Sequence, residues 1–285
     1  MRMQLNQKIK DFYDASTPLW LNTWGEQMHH GYYGPDGNRE VDHQQAQVDM
    51  IEALLEWGQC PIKVSRFLDA GCGVGGSSRY LAQRFPDAVG LGVTLSPVQA
   101  NNGQRYNREA GLSDRLTIKA QDLFTLSPED VGTFDIIWSM ESAEHMADKQ
   151  GLMDLFYSLL RPGGQLLMAT WCHREEPPAL SGKEQKILGN ICKLYHLPPM
   201  VAISTLGKAA KLSGFSNVAT DDWSKAVEPF WGAVIESGLD PRNWPGLIKA
   251  GMSTIKGAWA MRYMRQGFTS GAIAYGMVRA TKPAG

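Results

Sequence analysis

Two carboxylates and an imidazole crowd into Glu141-Ser142-Ala143-Glu144-His145, directly after an apolar run that ends at Met140. Acids beside a histidine are equipment for moving a proton. His145 has an unperturbed pKa near neutrality and can take a proton from a weakly acidic hydroxyl, phenol or amine, with Glu141 and Glu144 beside it. These three are the candidate catalytic residues, and for His145 a binding or helix-capping role stays open alongside. Upstream, Phe67-Leu68-Asp69-Ala70-Gly71-Cys72-Gly73-Val74-Gly75-Gly76-Ser77-Ser78 carries an apolar stretch into an acid and a glycine-dense turn. Gly71 and Gly73 let backbone N–H groups approach a ligand with no Cβ in the way, and the helix opening near Gly75 adds its positive end. The turn lacks the closing Gly-Lys-Ser/Thr of a phosphate loop, and Asp69 would repel a pyrophosphate. It suits a cation. An adenosyl group bearing a sulfonium and an ammonium, S-adenosylmethionine (SAM), matches that electrostatics.

A SAM site must also hold ribose and adenine and align the methyl group with a nucleophile. Many nucleotide folds place an acid on the ribose hydroxyls at the end of the second strand; here Gly92-Val93-Thr94-Leu95-Ser96 offers a hydroxyl and backbone groups instead. Thr94, Leu95 and Gln99 are the candidates there. In Gln121-Asp122-Leu123 the Asp122 carboxylate can accept from the adenine amino group, or it can simply cap a helix. With Asp69, Gly71, Cys72, Gly73, Ser139 and Tyr13 these complete the candidate cofactor set. His29 and His30 are a weaker pair, with no third or fourth ligand at metal-site spacing nearby, so no metal is expected.

The elements that must position these residues alternate. Apolar runs at Ser65–Ala70, Ala88–Thr94, Leu116–Ala120, Phe134–Met140 and Gly164–Thr170 read as strands, with helices starting near Gly75, Pro97 and Asp148. Ser96-Pro97 is a cap followed by proline at the first helical position, and Arg161-Pro162-Gly163-Gly164 is a turn. This is an α/β pattern, a doubly wound and mostly parallel Rossmann-like sheet whose ligand crevice lies outside the carboxyl ends of the strands. A helix is expected over Leu5–Tyr13, then an aromatic, glycine-rich lid from Trp20 to Gly37, then a helix capped by Asp42 and running to Trp57. Residues 1–60 form the lid and first covering helix, 61–173 the core, 174–270 a mainly helical substrate cap with one strand at Ser216–Asp222, and 271–285 a final strand.

The chain has 285 residues and a net charge of −1. No basic field exists to draw a nucleic-acid backbone, and nucleic acid is excluded as a partner. Cys60, Cys72, Cys172 and Cys192 show no disulfide or metal spacing, which suits a reducing compartment. The first residues read as an amphipathic helix rather than a signal, transit or spanning segment. A cytoplasmic protein without integral membrane association is expected, peripheral contact remaining open, and nothing in the sequence sets the oligomeric state.

These residues resemble the SAM-dependent methyltransferases, specifically the γ-tocopherol methyltransferase-like branch, along nearly the whole chain. Beyond the glycine turn, the resemblance is carried by Trp24-Gly25-Glu26-Gln27-Met28-His29-His30-Gly31-Tyr32-Tyr33, Thr94 to Ala100, Trp138 to Met146, Thr170-Trp171-Cys172-His173-Arg174, Asp222-Trp223-Ser224, Pro229-Phe230-Trp231 and Ile255-Lys256-Gly257-Ala258. It implies a seven-stranded class I methyltransferase fold and methylation of a ring carbon on a prenylated phenol. The partner implied is a hydrophobic aromatic small molecule. The branch also holds methyltransferases of indole-alkaloid nitrogen. Family members often continue Leu-Pro with Trp-Cys-Ser where this chain has Leu197-Pro198-Pro199-Met200-Val201-Ala202, a change expected to bear on the acceptor pocket rather than on SAM. The missing plastid leader suits a bacterial or cyanobacterial type.

Overall fold

The computed structural model describes residues 2–61, 63–232 and 252–284; the side chains of 19, 22–24 and 252–260 lie outside that description, and with them those of Trp24 and Ile255–Ala258 in the motifs above. Seven strands form one sheet in the order β3-β2-β1-β4-β5-β7-β6. They are β1 (Arg66–Ala70), β2 (Val89–Thr94), β3 (Leu116–Ala120), β4 (Phe134–Met140), β5 (Leu160–His173), β6 (Ser216–Asp222) and β7 (Ile273–Thr281). The first five run parallel, while β7 lies antiparallel between β5 and β6. The order reverses between β1 and β4, which opens a crevice at their carboxyl ends. From Phe67 onward β1 is buried, and β4 is buried throughout, because helices cover both faces of the sheet. Ile136 and Trp138 of β4 pack into one core with α2 (His43–Trp57) and α3 (Gly76–Arg84), and Ile137 packs into the other with α6 (Lys149–Leu159).

Local chemistry sets the element ends. The Asp42 carboxylate accepts from Gln44 and Gln45 N–H, Ser96 caps α4 (Pro97–Glu109) through Gln99 N–H, and Asp148 caps α6 through Gly151 N–H. The substrate-side region supplies α7 (Gly182–Tyr195), α8 (Ile203–Leu212), α9 (Ser224–Val227) and α10 (Met252–Thr269), with α5 the single turn Pro128–Val131. The part of the expected cap at 233–251 lies outside the described residues.

Two expectations need correction. The N-terminal helix does not stop at Tyr13: α1 spans Arg2–Trp24 and absorbs the start of the aromatic stretch, with Pro18 inside it. Pro18 removes one backbone donor, while the Ser16 and Thr17 hydroxyls bond the carbonyls of Phe12 and Tyr13, and tertiary contacts hold the helix beyond its local preference. The fifth strand is longer than Gly164–Thr170. Leu160 already pairs with Phe134, the Arg161–Gly164 turn is taken up as an irregularity, and pairing resumes at Gln165 opposite Ile136 and runs along β7 to His173 opposite Ile273. All four cysteines are free thiols. No described helix is long and apolar enough to cross a membrane.

Candidate active site

The crevice is walled by the loops after β1, β2, β3 and β4 and by α1 from above. Tyr13, Asp69, Gly71, Cys72, Gly73, Thr94, Leu95, Gln99, Gln121, Leu123, Glu141 and His145, all singled out in the sequence, share this wall. Gly71 and Gly73 have φ of +88° and +55°. A Cβ on Gly71 would strike Ser142, whereas one on Gly73 would find its nearest neighbour, Met28 Sδ, at 3.7 Å. The backbone at Gly73 therefore leaves space for a ligand to approach.

Burial pushes the Asp69 carboxyl up to about 7, although the Ser78 hydroxyl donates to it and Arg79 is near. A cationic ligand alongside is the chemistry that keeps such a group ionised. Thr94 donates to Gln99 Oε1 at 2.7 Å and so orients the Gln99 amide in the wall. The residues present thus fit SAM: a carboxylate for its ammonium, close backbone approach, and room for the adenosyl group.

Three site residues lie elsewhere than in the crevice wall. Asp122 caps the short turn Leu123–Thr125 through Phe124 N–H and also accepts from Asn6 Nδ2 of α1 at 2.9 Å. Ser139 is fully buried; Ser142 donates to the Ala70 carbonyl, so Ser139 donates to Ser142, a clamp that ties β4 to β1 behind the site. Glu144 opens into a second, narrow pocket lined by Tyr13, Trp20, Met28, His30, Glu141, Glu144, Trp171, Tyr195 and Trp231. This aromatic pocket shares Tyr13, Met28 and Glu141 with the crevice, so the two volumes meet there.

The acid–base groups differ sharply. Burial pushes His145 down from its ordinary near-neutral value to about 3, helped by Lys149 and His196. Its Nε2 shares a 2.6 Å hydrogen bond with the Tyr13 hydroxyl. Burial and the neighbouring Glu141 push Glu144 up to about 8 against the opposing Thr170 hydroxyl, which donates to it at 2.6 Å. Burial alone would raise Glu141 as well, but His30 and His29 outweigh it and hold that carboxyl below its usual range. Glu141 accepts from His30 N–H at 2.6 Å, His30 Nδ1 at 2.9 Å, Trp171 Nε1 at 3.0 Å and Tyr275 Oη at 2.8 Å. These bonds hold its backbone in the left-handed region, at a φ of 50°, a conformation that a residue with a side chain keeps only when its surroundings enforce it.

Glu26, Gln27 and Met28 also line the crevice, with His29 of the weaker histidine pair, and Trp20, Trp171, Tyr195 and Trp231 line the pocket without having been singled out as site residues. Their segments carry no periodicity, and only their place in the branch motifs marked most of them. The Leu197–Ala202 segment does not line this aromatic pocket; Tyr195 just before it does.

A sheet reversing between β1 and β4, with an acid and a glycine turn at the reversal, defines a class I SAM-dependent methyltransferase. Residues 67–164 match the family model described as a methyltransferase domain. The chain is 37% identical over 290 residues to the chloroplastic tocopherol O-methyltransferase of Arabidopsis thaliana, covering 98% of this chain and 83% of that protein. It is 26% identical to norajmaline N-methyltransferase of Rauvolfia serpentina over 94% of this chain and 95% of that one. The cyclopropane synthase MmaA2 of Mycobacterium tuberculosis superposes with a TM-score of 0.84 at 16% identity, over 97% of this chain and 98% of that one, a likeness of fold. The chain belongs to the SAM-dependent methyltransferases related to the chloroplastic tocopherol O-methyltransferases. It uses SAM to methylate a small organic acceptor.

Proposed function

We propose that the acceptor is an apolar aromatic molecule bearing a hydroxyl, a tocopherol-like prenylated phenol methylated at a ring carbon. The observation that carries this reading is the aromatic pocket meeting the crevice at Tyr13, Met28 and Glu141. Trp20, Trp171, Tyr195 and Trp231 offer flat apolar walls for one aromatic head group, and the described lining contains no lysine or arginine to neutralise an anionic acceptor. In this reading Asp69, Gly71, Cys72 and Gly73 hold the methionine end of SAM, Thr94, Leu95 and Gln99 the ribose, and Gln121 and Leu123 the adenine, with Asp122 shaping that loop. Tyr13 closes the crevice from α1. Residues 1–60 act as lid and cover, 61–173 as cofactor core, 174–270 as substrate cap and 271–285 as the last core strand.

Alignment of methyl and nucleophile supplies most of the acceleration in such a displacement, on the order of 7–11 kcal/mol in favourable cases. Proton removal adds about 10²–10⁴-fold. A second reading, methylation of an indole-type alkaloid nitrogen, is favoured by the aromatic walls, which suit an indole ring. Incubation with labelled SAM and a panel of γ-tocopherol, related quinols and indole alkaloids separates the two, with the methylated atom mapped by NMR. Ring-carbon methylation of a phenol is the expected product; turnover confined to amines would overturn it.

A further inference from the structure

We infer that the proton acceptor of the aromatic pocket is His30, oriented by Glu141. This rests on the reading of that pocket as the seat of a hydroxyl-bearing acceptor. His30 is 1% exposed and lines the pocket. Glu141 is ionised and can only accept, so the His30 Nδ1 at 2.9 Å from it must carry the proton. In the neutral imidazole Nε2 is then the bare nitrogen, and it is buried with no hydrogen-bond partner among the described residues. A carboxylate fixing Nδ1–H so that Nε2 can act as base is the arrangement of a hydrolase dyad. Here the ring is held further by Trp171, Phe230, Trp231, Phe268 and Tyr275, with centroids 4.9–5.8 Å away.

The other candidates differ in place or partner: His145 Nδ1 and His29 Nε2 also lack a hydrogen-bond partner, but both rings line the crevice and not the pocket. Glu141 accepts four donors and is a positioning residue. His145 Nε2 is engaged with Tyr13, and its ring faces the crevice rather than the pocket. Glu144 retains its proton near neutral pH. The ionisable groups around His30 are Glu141, His29 and Tyr275 beside it and Tyr13, Glu144 and Tyr195 around the pocket.

The acceptor hydroxyl gives its proton to His30 Nε2, and the oxygen electron pair moves into the ring. A ring carbon forms the new C–CH₃ bond as the S–CH₃ bond breaks with its electrons remaining on sulfur, yielding S-adenosylhomocysteine. The ring hydrogen at that carbon then leaves as a proton to solvent, restoring aromaticity, and the product phenolate takes back the proton held on His30 Nε2. The imidazolium formed lies against the Glu141 carboxylate.

His30→Asn separates this role from a structural one, since the asparagine amide replaces Nδ1–H towards Glu141 and supplies no base. We expect kcat to fall by about 10²–10⁴-fold while calorimetric SAM affinity stays within about two-fold. The loss should shrink for phenols acidified by electron-withdrawing groups. Near-normal kcat, or an equal loss for acidified and ordinary phenols, would overturn the inference. Imidazole ¹⁵N NMR of the complex with S-adenosylhomocysteine tests it without any acceptor: His30 should show a protonated Nδ1 and a bare Nε2, and a proton on Nε2 near pH 7.5 would refute it. Should the wild-type enzyme methylate no hydroxyl compound, the acceptor reading falls, and the NMR result still decides the state of His30.

Discussion

Gly71 and Gly73 stand two residues apart in one turn and fail for different reasons when given a side chain. At Gly71 a Cβ would lie 2.2 Å from Ser142 Cβ, so substitution disrupts the β1–β4 clamp. At Gly73 the nearest atoms are Met28 Sδ at 3.7 Å and Gln99 Nε2 at 4.0 Å, so a side chain enters the space left to the ligand. Gly73→Val should reduce SAM affinity by at least about ten-fold in calorimetry. The backbone of Gly73 is left-handed, with a φ of 55°. Holding a side-chain-bearing residue there costs a further ~1–2 kcal/mol of stability. Affinity within a few-fold of wild type would place SAM elsewhere. His145 shows how a residue's ordinary chemistry is revised by its surroundings: burial removes the near-neutral titration that made it attractive, and Tyr13 occupies its Nε2.

Helix α1 lies across the crevice and is fastened at three points, each on a different loop. Asn6 donates to Asp122 after β3, the Ser96 hydroxyl after β2 donates to Asp14, and Tyr13 shares its bond with His145 after β4. Ile9 and Tyr13 face the crevice between these points. These fastenings are polar, with Ile9 and Phe12 adding apolar contacts, whereas the sheet and its covering helices carry the main cores. Removing residues 1–24 should therefore leave a cooperatively folding core, seen by circular dichroism, with SAM affinity lowered by at least about ten-fold. Undiminished affinity in the truncated protein would deny α1 a role as lid.

For the whole molecule, a neutral Glu144 beside a charged Glu141 makes stability depend on pH. The Glu144 folded-state pKa of about 8 lies above its ordinary value, so the folded state binds the proton more tightly. The contribution is full at acid pH, declines as the unfolded chain deprotonates above about 4.5, and levels off beyond about 8. One group of this kind gives a slope of at most ~1.36 kcal/mol per pH unit. Glu144→Gln keeps a neutral side chain and removes this dependence. Its stability relative to wild type, from denaturant midpoints, should rise between pH 5 and 8. A pH-independent difference would show that Glu144 titrates normally.

Much of this arrangement was legible in the residues. The alternation of apolar runs and helical segments determined a doubly wound sheet, because period and turn chemistry act locally, and Asp69 with its glycines marked the ligand end of β1. Ser96, Asp42 and Asp148 marked helix starts for the same reason, each cap bonding within three residues of itself. The fastening of α1 across the crevice was hidden, since its partners lie in loops more than 80 residues away. The division of labour among the carboxylates and histidines was hidden too. Glu141, Glu144 and His145 are neighbours in sequence, yet Glu141 meets His30 and Tyr275, Glu144 meets Thr170, and His145 meets Tyr13. Residue type and spacing name the groups able to carry charge; burial and partners from distant segments, which only the tertiary structure supplies, decide which of them do.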